Sequence, residues 1–323
     1  MTDLLAVHNL QVGFRGASGP MVVRGVSFSI QPGETVGLVG ESGSGKSLTA
    51  QAVMGLLPRA ATLGPLSRIL FHDIDLCEAT ERQMQDLRGS KLAMVFQDPF
   101  SSLNPTMRLG EQVAEVLRMH KGLSAKDAAA RTVEMFELVR LPDAKTKVFQ
   151  YPHEISGGQR QRVLLAMAFA CGPELLIADE PTTALDVTVQ AQILALMREL
   201  ATNTRCGVLL ITHDLGVVAE ICQRVLVMYA GQIVEAGSVE QVLTAPLHPY
   251  TQGLLRALPP LDGNRVDRLY ALAGQPPDLS NRVNGCAFFE RCPIGRQVPC
   301  TTDEPTLRPT ISAGQSVRCH FAE

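Results

Sequence analysis

The sequence predicts an α/β protein: a mostly parallel core sheet, an antiparallel β subdomain, an inserted helical subdomain and a small cysteine-containing C-terminal extension. Two observations carry the core of this prediction. Continuous apolar runs at Thr35–Val39, Leu175–Ala178 and Val208–Thr212 read as strands covered on both faces. Helical patterns alternate with those runs, as parallel sheets require.

In chain order, Leu5 to Phe14 and Val22 to Ile30 interleave polar residues among Val, Leu and Phe, a strand pattern. Pro32-Gly33 is a turn signal. Thr35–Val39 leads through a glycine-rich loop into a helix beginning near Lys46, and Leu92–Phe96 is a further strand. From about Phe100 to Gln150 apolar residues such as Val113, Val116, Leu117, Val133 and Phe136 recur at helical spacing. That stretch and the helix after Gly158 make an inserted helical subdomain over about 100–170. Pro259-Pro260 and Pro276-Pro277 interrupt regular structure. A boundary near Pro259 therefore divides a domain at 1–258 from an extension at 259–323.

The composition fits this architecture. Of 323 residues, 46% are hydrophobic and 19% charged, which suits a packed core rather than a disordered chain. A net charge of −3 supplies no bulk basic field and argues against nucleic acid as a partner. There is no run of about 18 apolar residues, the length a spanning helix needs. Met-Thr-Asp-Leu-Leu at the start carries no signal-peptide pattern. The expectation is a chain that stays in the cytosol, which leaves docking on a membrane protein open, with its thiols reduced. Four of the eight cysteines nevertheless cluster at Cys286, Cys292, Cys300 and Cys319, and clustered thiols in a reducing compartment suggest a metal.

The chemistry is concentrated at strand ends. Gly40-Glu41-Ser42-Gly43-Ser44-Gly45-Lys46-Ser47 matches G-x-x-x-x-G-K-[ST] between a predicted strand and a predicted helix. Glycines let the backbone wrap close to phosphate and turn its N–H groups inward, and the helix start adds positive partial charge. Lys46 would reach the β- and γ-phosphates of ATP, and the Ser47 hydroxyl would coordinate Mg²⁺. The apolar run Leu175–Ala178 delivers Asp179 and Glu180 to the carboxyl edge of the sheet. Asp179 suits Mg²⁺ held through water, and Glu180 suits the orientation or deprotonation of the attacking water. Ser156-Gly157-Gly158-Gln159 is a second glycine-rich helix start able to hold an anion. Val208–Thr212 delivers His213, and Asp214 follows it.

Together these residues resemble the nucleotide-binding subunit of the ATP-binding cassette (ABC) family, in order and without a gap from about Leu4 to Gly237. The resemblance implies a P-loop NTPase cassette in which Gln97 senses Mg²⁺ and couples to a membrane partner. Ser156 to Gln159 looks like the family signature, with Ile155 where leucine is commoner. Asp186 resembles the loop that crosses between subunits, and His213 the γ-phosphate switch. Phe14 sits where the family places an aromatic on adenine, although tyrosine is more usual; a strand-core role is the equal alternative. In this family one chain's phosphate loop faces another chain's signature, so a single cassette is half of a shared site.

His248-Pro249-Tyr250-Thr251-Gln252-Gly253-Leu254-Leu255, Asn284-Gly285-Cys286, Arg291-Cys292-Pro293 and Phe100-Ser101-Ser102-Leu103-Asn104-Pro105 extend the resemblance to oligopeptide, dipeptide and nickel importers. The partners implied are a second homologous ATPase subunit, two transmembrane permease subunits and an extracytoplasmic substrate-binding protein. The implied location is the cytoplasmic face of the inner membrane, peripherally bound. Four thiolates at Cys286, Cys292, Cys300 and Cys319 could hold a [4Fe–4S] cluster, with zinc or ordinary buried thiols as alternatives. Related importer ATPases carry an iron–sulfur cluster at such a tail, which favours the cluster. Soluble cassette ATPases acting on DNA insert a long coiled coil before the signature, and here Gln97 and Ser156 are only 59 positions apart.

Overall fold

The structure is a computed structural model that describes residues 3–14, 19–183, 185–258, 270–277, 284–295 and 298–322. The boundary expected near Pro259 lies outside the described residues. In chain order the first elements are β1 (Leu5–Phe14), β2 (Met21–Ile30), β3 (Thr35–Val39), α1 (Lys46–Val53), β4 (Ala61–Leu63), β5 (Arg68–Phe71), β6 (Ile74–Asp75), α2 (Glu81–Leu87) and β7 (Leu92–Val95). A helical stretch follows, with α3 (Pro99–Ser102), α4 (Leu109–Lys121), α5 (Ala125–Leu138), α6 (Ala144–Lys147) and α7 (Gly157–Phe169). Then come β8 (Leu175–Asp179), α8 (Val187–Thr204), β9 (Gly207–Thr212), α9 (Leu215–Ile221), β10 (Arg224–Tyr229) and β11 (Gln232–Ser238). The chain finishes with α10 (Val239–Thr244), α11 (Pro249–Arg256), α12 (Val298–Thr302), β12 (Arg308–Pro309) and β13 (Ser316–Val317).

Two compact units divide the chain. The first comprises Met1–Ala6, Ser29–Thr35 and Leu70–Ile211. In it β7, β8 and β9 pair in parallel, with Leu92 opposite Leu175 and Leu175 opposite Gly207. Every residue of β8 and β9 is buried, which is why the sequence there is apolar without alternation. β7 stops at Val95, one residue short of the strand the sequence suggests, because Phe96 turns out to 44% exposure. The helices between β7 and β8 have local causes. Leu109, Val113 and Leu117 recur every fourth residue and are buried on one face of α4, which ends at Gly122 in the left-handed region (φ 62°). Ser124 caps α5 by accepting the Asp127 N–H.

The second unit comprises Val7–Phe28, Val36–Ile69 and Thr212–Glu323. Here β3 pairs in parallel with β10, and β10 continues antiparallel into β11, with an irregularity between Val227 and Met228. β11 in turn pairs antiparallel with β13, and β13 with β12. β1 pairs antiparallel with β4, placing Phe14 opposite Ala61. A core of Val39, Leu215, Val218, Val225, Val227, Tyr229, Tyr250 and Phe288 lies beneath β3 and β10. Phe288 comes from the chain's last quarter, and removing its ring from water is worth about 2–3 kcal/mol. Among the described residues no helix is long and apolar enough to cross a membrane.

Candidate active site

The loop between β3 and α1 is shaped by close backbone approaches. A Cβ on Gly40 would fall 2.1 Å from the Met228 carbonyl oxygen, so no other residue fits there without moving the β10 backbone. Gly43 (φ 78°) and Gly45 (φ 103°) hold left-handed conformations that turn the chain around. The Gly231 N–H donates to the Ser44 carbonyl at 2.9 Å and pins the loop's far side. Lys46 is 6% exposed and folds back, its Nζ donating to the carbonyls of Gly40 (2.7 Å) and Glu41 (2.9 Å). Ser44 Oγ is buried with no hydrogen-bond partner among the described residues. An orphaned hydroxyl in a glycine-rich turn before a helix start, with a buried lysine in the same loop, fits a polyanion such as a triphosphate.

The first unit carries the carboxylates. Asp179, 5% exposed, ends β8 opposite Ile211. Glu180 follows in the left-handed region (φ 46°), a strained conformation for a side-chain-bearing residue. Its N–H donates to the Ile211 carbonyl at 2.9 Å, which holds that turn. Gln97 Nε2 donates to Glu180 Oε2 at 3.0 Å, and Thr183 Oγ1 donates to the same oxygen at 2.9 Å. The structure thus brings Gln97 and Glu180 together across 83 positions of sequence. Thr183 is a contact that the sequence reading missed; its only signal was the Pro181-Thr182-Thr183 turn that follows the acidic pair.

The second glycine-rich helix start is also in the first unit. Ser156 Oγ accepts the Gln159 N–H at 3.4 Å, and Gln159 Oε1 accepts the Ser156 N–H at 3.3 Å, a reciprocal capping box for α7. A Cβ on Gly158 would come 2.6 Å from Val189 Cγ1 on α8, and one on Gly157 would lie 3.4 Å from Leu185. Asp186 caps α8, its Oδ1 accepting the Val189 N–H at 2.9 Å. His213 is exposed in the second unit, and the Asp214 N–H after it donates to Thr212 Oγ1. Phe14 is half-buried at the end of β1. Gln97, Asp179, Glu180, Ser156 to Gln159 and Asp186 therefore belong to one unit. Phe14, Gly40 to Ser47 and His213 belong to the other.

The metal centre expected in the tail is not supported. Among the described residues no group of three or more His, Cys, Asp or Glu side chains is placed to hold a metal ion. The tail coheres by other means: the Cys286 N–H donates to the Cys300 carbonyl at 2.9 Å, and Phe288 fills the core. Burial pushes the Cys286 thiol up to about 11 and raises Cys292 and Cys300. They are still neighbours, since the charges of Cys300, Cys292 and Cys319 each raise Cys286 further.

Comparison with known proteins agrees with this geometry. Residues 23–183 match the family described as ABC transporter, and residues 234–300 match that described as oligopeptide/dipeptide transporter, C-terminal region. The oligopeptide transport ATP-binding protein OppD of Bacillus subtilis is 48% identical over 309 residues, 95% of this chain and 86% of its own. The chain belongs to the ABC transporter family. It is an ATPase subunit of that family, with the cassette fold. The dipeptide transport ATP-binding protein DppD of the same organism is also 48% identical, over 99% of this chain and 95% of its own. Among solved structures, the dimeric post-hydrolysis state of the ATP-binding cassette MJ0796 bound to ADP and Pi superposes with a TM-score of 0.64. It is 25% identical and covers 73% of this chain and 98% of its own. The cbiO1 protein from Clostridium perfringens, part of the ABC transporter complex cbiONQ, gives a TM-score of 0.65 at 26% identity, over 76% of this chain and 92% of its own.

Proposed function

We propose that this chain hydrolyses ATP to power the import of di- and oligopeptides across the cytoplasmic membrane. The observation that carries the peptide assignment is the match of residues 234–300 to the C-terminal region of oligopeptide and dipeptide transporters. Near-full-length relatives bearing those names add to it. The same machinery importing nickel or another small solute is the alternative. Uptake of labelled dipeptides and longer peptides by cells carrying or lacking the intact chain decides between them. Loss of peptide uptake is expected, and unchanged peptide uptake with lost nickel uptake overturns the assignment.

In this reading Gly40, Ser42, Gly43, Gly45 and Lys46 hold the phosphates, and Phe14 stacks on adenine. Ser47, Gln97 and Asp179 hold Mg²⁺, which when bound neutralises phosphate charge. Glu180 orients the attacking water and takes its proton, while His213 contacts the γ-phosphate. Support comes from Gln97 and Thr183, which fix the Glu180 carboxylate by two hydrogen bonds and so pre-set the direction of proton abstraction. Ser156, Gly157, Gly158 and Gln159 act on the nucleotide of a second homologous ATPase subunit, and Asp186 lies at that crossing. The ATPase pair works beneath two transmembrane permease subunits fed by an extracytoplasmic binding protein, peripheral at the cytoplasmic face of the membrane.

The four tail cysteines are the place where a [4Fe–4S] cluster, or zinc, would brace the extension. The crowding of four of the eight cysteines into the last 38 residues supports this. Iron content and absorbance near about 400 nm in anaerobically purified protein test it, Cys₄ ligation being the chemical basis. Absence of both removes the cluster.

A further inference from the structure

The phosphate loop contains a residue that its proposed chemistry does not want. Glu41, second in the loop, adds a carboxylate to a segment read as holding a triphosphate, and like charges at short range repel. The structure supplies the compensation from the far end of the chain. Arg291 Nη1 donates to Glu41 Oε2 at 2.8 Å and Nη2 to Glu41 Oε1 at 2.9 Å, a two-pronged pair across 250 positions. The Arg291 side chain is only 5% exposed against 25% for Glu41, so the guanidinium is committed to the pair. Its Nε donates to the Ala273 carbonyl at 3.0 Å and Nη1 also to Tyr229 Oη at 3.3 Å. The cation lies 5.7 Å from the Tyr229 ring centre and 5.9 Å from that of Phe288.

The rest of Glu41 is tied down as well. Its N–H donates to Tyr250 Oη at 2.9 Å, and its carbonyl accepts from Lys46 Nζ at 2.9 Å. Tyr229, Tyr250 and Phe288 pack edge-to-face and tilted, with ring centres 4.6–5.5 Å apart, so Arg291 rests on a rigid platform. An anchor for the tail alone would not need its ion pair inside an anion-binding loop.

We propose that Arg291 is a positioning residue that neutralises Glu41 and holds its carboxylate aside, so that the docked tail sets the affinity of the phosphate loop for ATP. This rests on the reading of Gly40 to Ser47 as the phosphate site. The removal of one close compensating charge is worth about a factor of ten in binding.

The test is equilibrium binding of ATP with Mg²⁺ to the full chain at low and high ionic strength. Arg291→Gln is expected to raise Kd about tenfold at low salt and less at high salt, where exposed charge is screened. The double variant Arg291→Gln with Glu41→Gln should recover most of the affinity, a rescue that a purely structural anchor would not give. Wild-type affinity in Arg291→Gln, or a double variant as weak as Arg291→Gln, overturns the proposal. If Arg291→Gln does not fold, Arg291→Lys keeps the charge and should stay well within that tenfold loss; a full tenfold loss there overturns the charge argument. A wild-type chain that binds no ATP fails at the site itself and is thereby distinguished from failure of this proposal.

Discussion

At Gly40 to Ser47 the glycines answer to backbone. Gly40 abuts the Met228 carbonyl, and Gly43 and Gly45 adopt left-handed conformations that other residues resist. At Ser156 to Gln159 they answer to packing. That start is an ordinary capping box, and its Gly158 is there because Val189 of α8 occupies the space a side chain would need. The first region is complete in itself, with its lysine drawn onto its own carbonyls and its acidic residue neutralised by the tail. The second is a helix start with its cap satisfied by Ser156 and Gln159 and its glycines packed against Leu185 and Val189. One glycine-rich segment is a tight loop fixed by backbone contacts, and the other is a capped helix start that, in the proposed function, serves the nucleotide of a second subunit.

The largest expected effect tests the chemistry that distinguishes the two. If Glu180 is the base, as proposed, Glu180→Gln removes it while leaving the phosphate loop intact, so turnover in the assembled complex should fall about 100-fold or more. ATP binding measured by equilibrium titration should persist, and near-normal ATPase activity would refute the role.

Glycine-to-alanine replacements separate the two regions directly. Gly40→Ala must push the Met228 backbone aside, so the chain should lose ATP binding. Gly158→Ala should cost about 1–3 kcal/mol of stability through overpacking against Val189. The isolated Gly158→Ala chain should still bind ATP while the assembled complex loses turnover. Parallel titrations and thermal melts check both.

Acid should strike the first region and spare the second. His248 is buried, and burial holds its ring near about 3 against an ordinary 6.5; its Nδ1 accepts the Tyr250 N–H at 3.0 Å. Tyr250 in turn holds Glu41. The neutral ring's contribution is full above about 6.5 and is lost as pH falls towards 3, because the unfolded chain binds the proton first. Stability should therefore drop by up to about 1.4 kcal/mol per pH unit in that window. Melting temperatures from neutral to acid pH check this, with the slope reduced in His248→Gln. The smallest effect is at the cap: Ser156→Ala should cost about 1 kcal/mol, read as a modest fall in melting temperature.

Where the structural pattern is local in sequence, it was legible. β3 with its loop and α1, and β8 with Asp179 and Glu180, each place strand, turn and chemistry within about ten residues, so spacing alone identifies them. Gln97 came from family resemblance, and its contact with Glu180 could not be read because no local pattern links positions 83 apart. The short strands β4, β5 and β6 were missed because two to four residues carry too little periodicity to register. The cysteine cluster illustrates the opposite hazard. Spacing pointed to a metal, and among the described residues no group of three or more His, Cys, Asp or Glu side chains is placed to hold one.

By itself the sequence determined the kind of chemistry: a phosphate loop, an acidic strand end and a signature, in the order of one family. It did so because phosphate binding needs consecutive backbone N–H groups, which only neighbouring residues can supply. Tertiary structure alone decided how Glu41 can be tolerated in that loop. Its partners Tyr250 and Arg291 lie 209 and 250 positions away, and only packing onto a shared aromatic core brings them within hydrogen-bonding distance.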